Sequence, residues 1–158
     1  MTGPAEDLAP AAEATASITI RPMALDDFNG VHALWSRTEG LEVNDLDERD
    51  QLAAYFRRNP GLSQVAVRDG RVVGAVLCGH DGRMGLLHRL AVDGSCRRQG
   101  VGRAMVDACL EGLREQGVRV VFLFVFHNNP QGLAFWEASG WRVASDCATL
   151  WKNLRPGR

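Results

Sequence analysis

The 158-residue sequence has no long apolar run, no concentration of basic residues and no paired cysteine spacing. A membrane-spanning helix needs about 20 consecutive apolar residues, and no stretch approaches that length. A formal net charge of −1, without a basic block, argues against nucleic acid as a partner. The N-terminus also lacks the basic and apolar segments of a secretory signal. These absences favour a cytoplasmic protein with neither a membrane nor a nucleic acid as its partner.

The four cysteines, at positions 78, 96, 109 and 147, show no C-x-x-C spacing. Reduced thiols are therefore the simplest interpretation. Cys78, His80 and the nearby His88 are candidate metal ligands by residue type. No second ligand pair accompanies them, so no metal is expected.

Length and composition predict a single domain. With 46% hydrophobic residues, a chain of this size can form an adequate core. Residues 1–16 are rich in alanine, proline and glutamate and lack aromatics, which indicates a disordered leader. The predicted domain covers residues 17–154, and residues 155–158 form a short tail.

The first half of the domain is predicted to contain a strand, two helices and three antiparallel strands. "SITIRPM" alternates like a strand, and helical spacing follows from residue 24 to about 38 and from 45 to about 59. Asp45 with Glu48 three residues later indicates a capping box for the second helix. Two Asp-Gly turns then separate strands at about 63–69, 71–79 and 84–93.

The second half is predicted to alternate helices and strands. The segment "RQGVGRAMVDACLEGLREQG" is predicted to be a helix that Gly117 ends, and "VRVVFLFVFHN" has the composition of a strand buried on both faces. Asn129-Pro130 begins a last helix, which Gly140 ends, and "WRVASDCATLWKNL" indicates one or two edge strands. The expected fold is α/β (α+β): a single-domain mixed sheet of order βααβββαβαβ with helices on both faces.

The segment "CRRQGVGRAM" places two glycines and three arginines at a helix start. The first backbone N–H groups of a helix have no internal partner, and glycine lets an anion approach them closely. Arg97, Arg98 and Arg103 add charged donors. Together these features indicate a pyrophosphate site, although a tight turn with solvated arginines fits a lone G-x-G equally well.

Two other phosphate-binding motifs do not fit this segment. The P-loop motif requires Gly-Lys-Ser/Thr, whereas Gly102 is followed by Arg103 and Ala104. The dinucleotide fingerprint G-x-G-x-x-G requires a third glycine where Met105 stands. Neither a P-loop nor a dinucleotide fold is therefore expected.

The ordered set of motifs resembles the GNAT superfamily of N-acetyltransferases. The set comprises "IRPM", "LHRLAV", Arg97-x-x-Gly100-x-Gly102 and the segment from Asn129 to Trp141, "N-x-x-G-L-A-F-W-E-x-x-G-W". The resemblance covers about residues 17–153, and "RNPGLS" and "GHDGR" are similar to a bacterial subgroup of uncertain substrate. It implies a GNAT-like fold and acetyl-CoA as cosubstrate.

The same resemblance implies which residues bind acetyl-CoA. The strand before the loop is expected to splay from its neighbour and to bind the pantetheine arm as an added strand would. The Leu90 N–H would then face the thioester carbonyl and stabilise the oxyanion. The implied cofactor-binding residues are Leu90, Ala91, Val92, Arg97, Arg98, Gln99, Gly100, Val101, Gly102, Arg103, Asn129 and Trp136.

Acetyl transfer to an amine benefits from a base, and His88 is the candidate. It lies two residues before Leu90, so period-two alternation predicts that both face the same side. "LHRLAV" is also similar to the strand of arylalkylamine N-acetyltransferases in which a histidine assists deprotonation. A histidine that only packs is the alternative. The general acid is less clear, because Trp136 stands where the family usually has tyrosine, and an indole cannot serve as an acid.

Two functions of different classes follow from the sequence. The first is an N-acetyltransferase in which a primary amine, on a small molecule or a protein, attacks the thioester directly. The second is an acyl-CoA-binding sensor or degenerate partner domain without turnover, which the missing tyrosine favours. The acidic residues Glu42, Asp45, Asp47, Glu48 and Asp50 would suit a cationic acceptor, but a solvated helix start explains them more simply. The acceptor is not predicted, and a monomer and a homodimer both stay open.

Overall fold

The computed structural model describes residues 17–155. The predicted leader, residues 1–16, and residues 156–158 of the predicted tail lie outside this range. The chain divides into two compact units between Leu123 and Phe124, and each unit is described by itself.

The first unit contains a five-stranded sheet with the strands in sequential order. The first four strands are antiparallel neighbours, and the fourth and fifth are parallel, so the predicted mixed sheet is confirmed. The strands are β1 (Thr19–Pro22), β2 (Gln64–Arg68), β3 (Arg71–His80), β4 (Met84–Val92) and β5 (Val120–Phe122).

Within residues 17–155, three of the four α-helices belong to the first unit and one to the second. They are α1 (Phe28–Arg37), α2 (Arg49–Arg58), α3 (Val101–Glu115) and α4 (Pro130–Ala138). Short 3-10 helices precede the first three, at Leu25–Asp27, Asp45–Asp47 and Gly94–Cys96. The described order is therefore βααβββαβα.

Helices cover both faces of the sheet in the first unit. On β3, Ala75 and Leu77 belong to the core cluster that includes Trp35 of α1. The next residue after Leu77 faces the other way, because strand side chains alternate. Accordingly, the Sγ of Cys78 lies 4.0 Å from the carbonyl oxygen of Cys109 on α3. The sheet thus has α1 and α2 on one side and α3 on the other.

The second helix begins differently from the prediction. Asn44 caps the 3-10 helix Asp45–Asp47, with the Leu46 N–H donating to Asn44 Oδ1 at 2.9 Å. The Asn44 N–H donates in turn to Asp47 Oδ2 at 3.0 Å. The predicted capping box of Asp45 and Glu48 is therefore wrong. Asn44 takes the cap position one residue earlier, so its reciprocal partner is Asp47.

The predicted buried strand at "VRVVFLFVFHN" is confirmed only in its first part. The strand β5 covers Val120–Phe122, and these two residues are 52% and 43% exposed, so burial on both faces is wrong. Residues 141–155 form no strand, so the predicted edge strands are not found in the described chain. β-branched and aromatic residues favour a strand only where they can pack against a neighbouring strand. In these two segments, no described strand pairs with the residues after Phe122.

Replacement of Gly79 by alanine should disturb the contact between β3 and α2. An added Cβ would lie 2.5 Å from Tyr55 Oη and 2.6 Å from Asn59 Nδ2. Asn59 cannot move freely, because its Oδ1 accepts the His80 N–H at 2.9 Å. We expect Gly79→Ala to lower the free energy of unfolding in urea by about 1–3 kcal/mol.

Gly94→Ala is the matched control, because no described atom beyond its own chain neighbours lies within 4 Å of the added Cβ. Its free energy of unfolding should stay within about 0.5 kcal/mol of that of the unsubstituted protein. Equal destabilisation by the two substitutions would contradict the described packing.

Candidate active site

Strand β4 contains a bulge directly after His88. His88 pairs with Leu77 and Ala91 pairs with Ala75, so Arg89 and Leu90 together stand opposite Val76 alone. Arg89 has φ +57°, in the left-handed region that arginine rarely adopts. An extra residue in one strand bends that strand and re-aims its side chains.

The bulge overturns the prediction that His88 and Leu90 share a face. Leu77, the partner of His88, and both members of the Ala75–Ala91 pair lie on the side of the sheet that packs on α1. Leu90 precedes Ala91 and therefore projects its side chain to the opposite side. Simple alternation fails here because the extra residue shifts the period by one. The backbone N–H of Leu90 is still a candidate donor.

The side chain and the carbonyl group of Arg89 are both fixed. Its Nη2 lies 2.7 Å from Asp47 Oδ2 and its Nε 3.0 Å from Asp47 Oδ1, which makes a bidentate ion pair. Nη1 donates to the Glu42 carbonyl at 3.0 Å, and the Arg89 carbonyl accepts from Trp35 Nε1 at 3.0 Å. The Asp47 side chain is only 3% exposed.

Sequence reasoning missed Asp47 and Arg89. Asp47 was grouped with the solvated acids of a helix start, whereas the structure buries it against a residue 42 positions away. Asn44, three residues before Asp47, was the one local signal that Asp47 is structurally fixed. The partnership with Arg89 has no local signal, because it depends on the register of β4.

The electrostatic environment of His88 favours its neutral form. Burial lowers the pKa of His88, Arg89 lowers it further, and Asp47 partly opposes them. The ring of Tyr55 packs edge-on against the His88 ring at a centroid distance of 6.4 Å. Burial raises the pKa of Tyr55, so this phenol stays protonated at neutral pH. His88 therefore presents an unprotonated imidazole at neutral pH.

The edge of β4 beside β5 is only partly occupied. Parallel pairing joins Met84–Leu86 to Val120–Phe122 and ends there, although β4 continues to Val92. In residues 17–155, no strand pairs with positions 87–92 on that side. Strand edges with unpaired backbone groups can bind an extended ligand by adding it as a further strand.

The connection from β4 to α3 is anchored by Asp93. Its Oδ1 accepts the N–H of Ser95 at 3.0 Å and the Ser95 hydroxyl at 2.7 Å, while Oδ2 accepts Arg37 Nη2 at 2.9 Å. Arg37, and then these bonds from Ser95, hold the pKa of Asp93 well below its usual value. The carboxylate is therefore charged at neutral pH, and it ties the start of the loop to α1.

The loop itself presents backbone donors beside positive charge. Arg98 and Gly100 have φ +60° and +76°, and such left-handed residues turn successive N–H groups toward one concavity. The first intrahelical bond runs from the Ala104 N–H to the Gly100 carbonyl, so the N–H groups of residues 101–103 precede it. Arg97, Arg98 and Arg103 are exposed. This arrangement can bind a phosphate group.

Two of the predicted cofactor-binding residues, Asn129 and Trp136, lie in the second unit. Asn129 Oδ1 accepts the Gly132 N–H at 2.9 Å and so caps α4, as the sequence predicted for this helix start. The Trp136 ring is buried, with the rings of Phe135 and Trp141 at 5.1 and 5.2 Å. Their contacts with a cofactor stay predictions.

The remaining histidine and cysteine candidates have other surroundings. His80 Nδ1 accepts the Gly82 N–H at 3.0 Å and its Nε2 lies 2.7 Å from Gln116 Oε1, a hairpin arrangement. Across residues 17–155, no group of three or more His, Cys, Asp or Glu side chains is placed to bind a metal. None of the helices in this range has the length and apolarity that crossing a bilayer requires.

Comparisons with known proteins identify the family and the fold of the chain. Residues 28–141 match the acetyltransferase (GNAT) family. The acetyltransferase ECA0875 of Pectobacterium atrosepticum is 30% identical over 135 residues, which cover 85% of this chain and 94% of that protein. Ard1 from Thermoplasma volcanium is similar with a TM-score of 0.72 and 26% identity, covering 81% of this chain and 84% of Ard1.

A further solved structure, the PaiA N-acetyltransferase from Thermoplasma acidophilum, was determined in complex with coenzyme A. It matches with a TM-score of 0.71 at 16% identity, over 80% of this chain and 91% of that one, and so shows the shared fold. The chain belongs to the GNAT family of acetyltransferases, which use acetyl-CoA. The fold class, the family and the enzyme class expected from the sequence are confirmed.

The left-handed conformation of Arg98 predicts a stability difference between two substitutions. Arg98→Gly and Arg98→Ala remove the same charge, but only glycine adopts φ +60° without strain. We expect Arg98→Gly to be more stable than Arg98→Ala by about 1 kcal/mol in urea unfolding.

The same pair of substitutions at Arg97 is the control. Arg97 has φ −67°, so there alanine should be the more stable replacement, because glycine gains more freedom in the unfolded chain. The same order at both positions would contradict the described loop conformation.

Proposed function

We propose that this acetyltransferase transfers the acetyl group of acetyl-CoA to a primary amine. One observation carries the proposal: the unpaired edge of β4 leads directly into the arginine-glycine loop at the start of α3. A site for an extended amide-containing arm is thus followed along the chain by a site for a pyrophosphate. Pantetheine and pyrophosphate are joined in coenzyme A in this way, and PaiA, which shares the fold, binds that molecule.

The proposed cofactor contacts follow from this arrangement. The backbone of Leu90, Ala91 and Val92 would pair with the pantetheine arm. The N–H groups of the loop and the exposed guanidinium groups of Arg97, Arg98 and Arg103 would bind the pyrophosphate. Gln99, Gly100, Val101 and Gly102 supply the backbone of this loop, and Asn129 and Trp136 are proposed contacts from the second unit.

The proposed reaction is direct nucleophilic attack on the thioester. An alkyl ammonium group has a pKa of about 10, so a base must remove a proton before the amine can attack. Neutral His88 is suited to accept that proton, directly or through water. The Leu90 N–H would stabilise the negative charge that forms on the thioester carbonyl oxygen during the attack. The new C–N bond then remains while the C–S bond breaks, and the nitrogen releases its second excess proton to solvent to give the neutral amide.

Departure of the sulfur does not require a general acid such as the tyrosine that the family usually has at the position of Trp136. A thiol with a pKa of about 8.5 leaves readily as a thiolate, which solvent then protonates. Trp136 is therefore proposed to cover the cofactor rather than to donate a proton, because its indole N–H is not acidic enough. The acceptor is proposed only as a class, a primary amine on a small molecule or a protein.

An amine panel with thiol detection tests the function. The panel includes polyamines, arylalkylamines, aminoglycosides and peptides with free N-termini, and acetyl-CoA binding is measured by calorimetry in parallel. We expect amine-dependent CoA release. Gly102→Asp should weaken acetyl-CoA binding by about 100-fold, because its carboxylate would repel the pyrophosphate at the start of α3.

Gly102→Ala is the control, since it adds bulk without charge and should bind more tightly than Gly102→Asp. Equal affinity of Gly102→Asp and the unsubstituted protein would exclude the pyrophosphate assignment. Acetyl-CoA binding without CoA release for any amine would instead support the sensor.

The proposed base predicts a specific pH dependence. Protonated His88 cannot accept a proton, so kcat/KM should fall as the pH falls through its pKa. Burial places that pKa below the usual value of about 6.5. His88→Ala should lower kcat/KM by about two to four decades and remove this acidic limb.

His32→Ala is the matched control, because His32 lies on α1 with its ring against Phe28, at a centroid distance of 5.4 Å. It should keep both the rate and the limb. If His88→Ala kept the acidic limb of the pH profile of kcat/KM, His88 would only pack and would not be the base.

A further inference from the structure

The bulge separates the two groups on which the proposed chemistry depends. His88 precedes Arg89, and the Leu90 N–H follows it, so the conformation of Arg89 sets the direction of both. Nothing in the sequence of β4 relieves the strain of φ +57° at this position, since Arg89 has a Cβ. The bulge must therefore be maintained by contacts that Arg89 makes elsewhere.

Those contacts come from the segment between α1 and α2. Asp47 Oδ2 accepts from Arg89 Nη2 at 2.7 Å and also from the Asn44 N–H at 3.0 Å. Arg89 Nη1 reaches the Glu42 carbonyl in the same segment. One buried carboxylate thus closes the 3-10 turn and binds the bulge. The Asp47 carboxylate thus connects residues 42–47 to the centre of β4.

We propose that Asp47 and Arg89 are positioning residues for acetyl transfer: the ion pair of the buried Asp47 with the half-buried Arg89 holds the β4 bulge that orients His88 and the Leu90 N–H. This inference rests on the proposed function. Neither residue contacts the reacting atoms in this account. Their effect is to fix the backbone on either side of Arg89 and to attach residues 42–47 beside it.

The two charges also act on His88 in opposite directions. Among the described residues, the ring of Tyr55 from α2 packs on His88, the uncharged Leu77 of β3 pairs with it, and the charges of Asp47 and Arg89 act on its pKa. Asp47 favours the protonated imidazole and Arg89 disfavours it. Removal of one charge alone should therefore shift the pKa of His88, and the direction should depend on which charge is removed.

Steady-state kinetics of four variants test the positioning role. Asp47→Asn and Arg89→Gln should each lower kcat by about 10- to 100-fold, with acetyl-CoA affinity within about threefold of the unsubstituted protein. The double variant should be no worse than either single one, because each change breaks the same pair. Arg89→Lys, which keeps the charge but not the planar fork, should recover part of the rate.

Glu111→Gln and Arg114→Gln provide matched controls. These residues form an exposed ion pair at 2.9 Å on α3, and their replacement should leave kcat unchanged. Circular dichroism and thermal unfolding establish the folded fraction of every variant. If kcat per folded molecule were unchanged in Asp47→Asn and Arg89→Gln, the pair would be only a stabilising contact and the inference would be wrong. If the losses in kcat of the two single variants added in the double variant, the two residues would act separately, which would also contradict the inference.

A titration that does not depend on turnover separates this inference from the proposed function. The pKa of His88, followed by its ring proton resonances in NMR, should rise in Arg89→Gln and fall in Asp47→Asn. The double variant should lie near the unsubstituted protein. Identical pKa values in all four proteins would overturn the inference even if acetyl transfer is found. Opposite shifts without any amine-dependent CoA release would leave the coupling intact and reject the function.

Discussion

Arg89 occupies a left-handed conformation at the centre of β4, and its guanidinium group is fixed by the buried carboxylate of Asp47. This conformation produces the bulge, and the bulge sets which face of the sheet each following residue takes. Its effect extends to Val92, where β4 ends and the loop before α3 begins. The bulge thus organises the site, and the ion pair of Arg89 with the buried Asp47 maintains the bulge.

Helix α1 braces the same strand at two points. The Trp35 indole donates to the Arg89 carbonyl at 3.0 Å, and the Arg37 guanidinium lies 2.9 Å from Asp93. These contacts fix the start and the end of the segment that is proposed to bind the pantetheine arm. The segment from Arg89 to Asp93 is therefore held at both of its ends. A site on such a segment is more rigid than one on a free loop, and acyl transfer depends on this preorganisation.

The sequence predicted those features that local signals specify. The Asp-Gly turns separated β2, β3 and β4 correctly, and the Arg97 to Gly102 pattern identified a helix start with free donors. The bulge was not predictable, because it follows from the register between β3 and β4 rather than from the residues of β4 alone. The burial of Asp47 was missed for the same reason, since its partner lies on another element. Residues after Phe122 also have a strand-like composition without forming a strand, because no described strand pairs with them.

Coenzyme A is proposed to lie along the unpaired edge of β4 with its pyrophosphate at the start of α3. A crystal structure of the protein with coenzyme A tests it most directly. We expect pantetheine amides hydrogen-bonded to the backbone between Leu90 and Val92. We also expect pyrophosphate oxygens bonded to the N–H groups of Val101 and Gly102, and Arg89 still left-handed and paired with Asp47. A pyrophosphate bound away from the start of α3, or a pantetheine arm that makes no backbone bonds to β4, would contradict it.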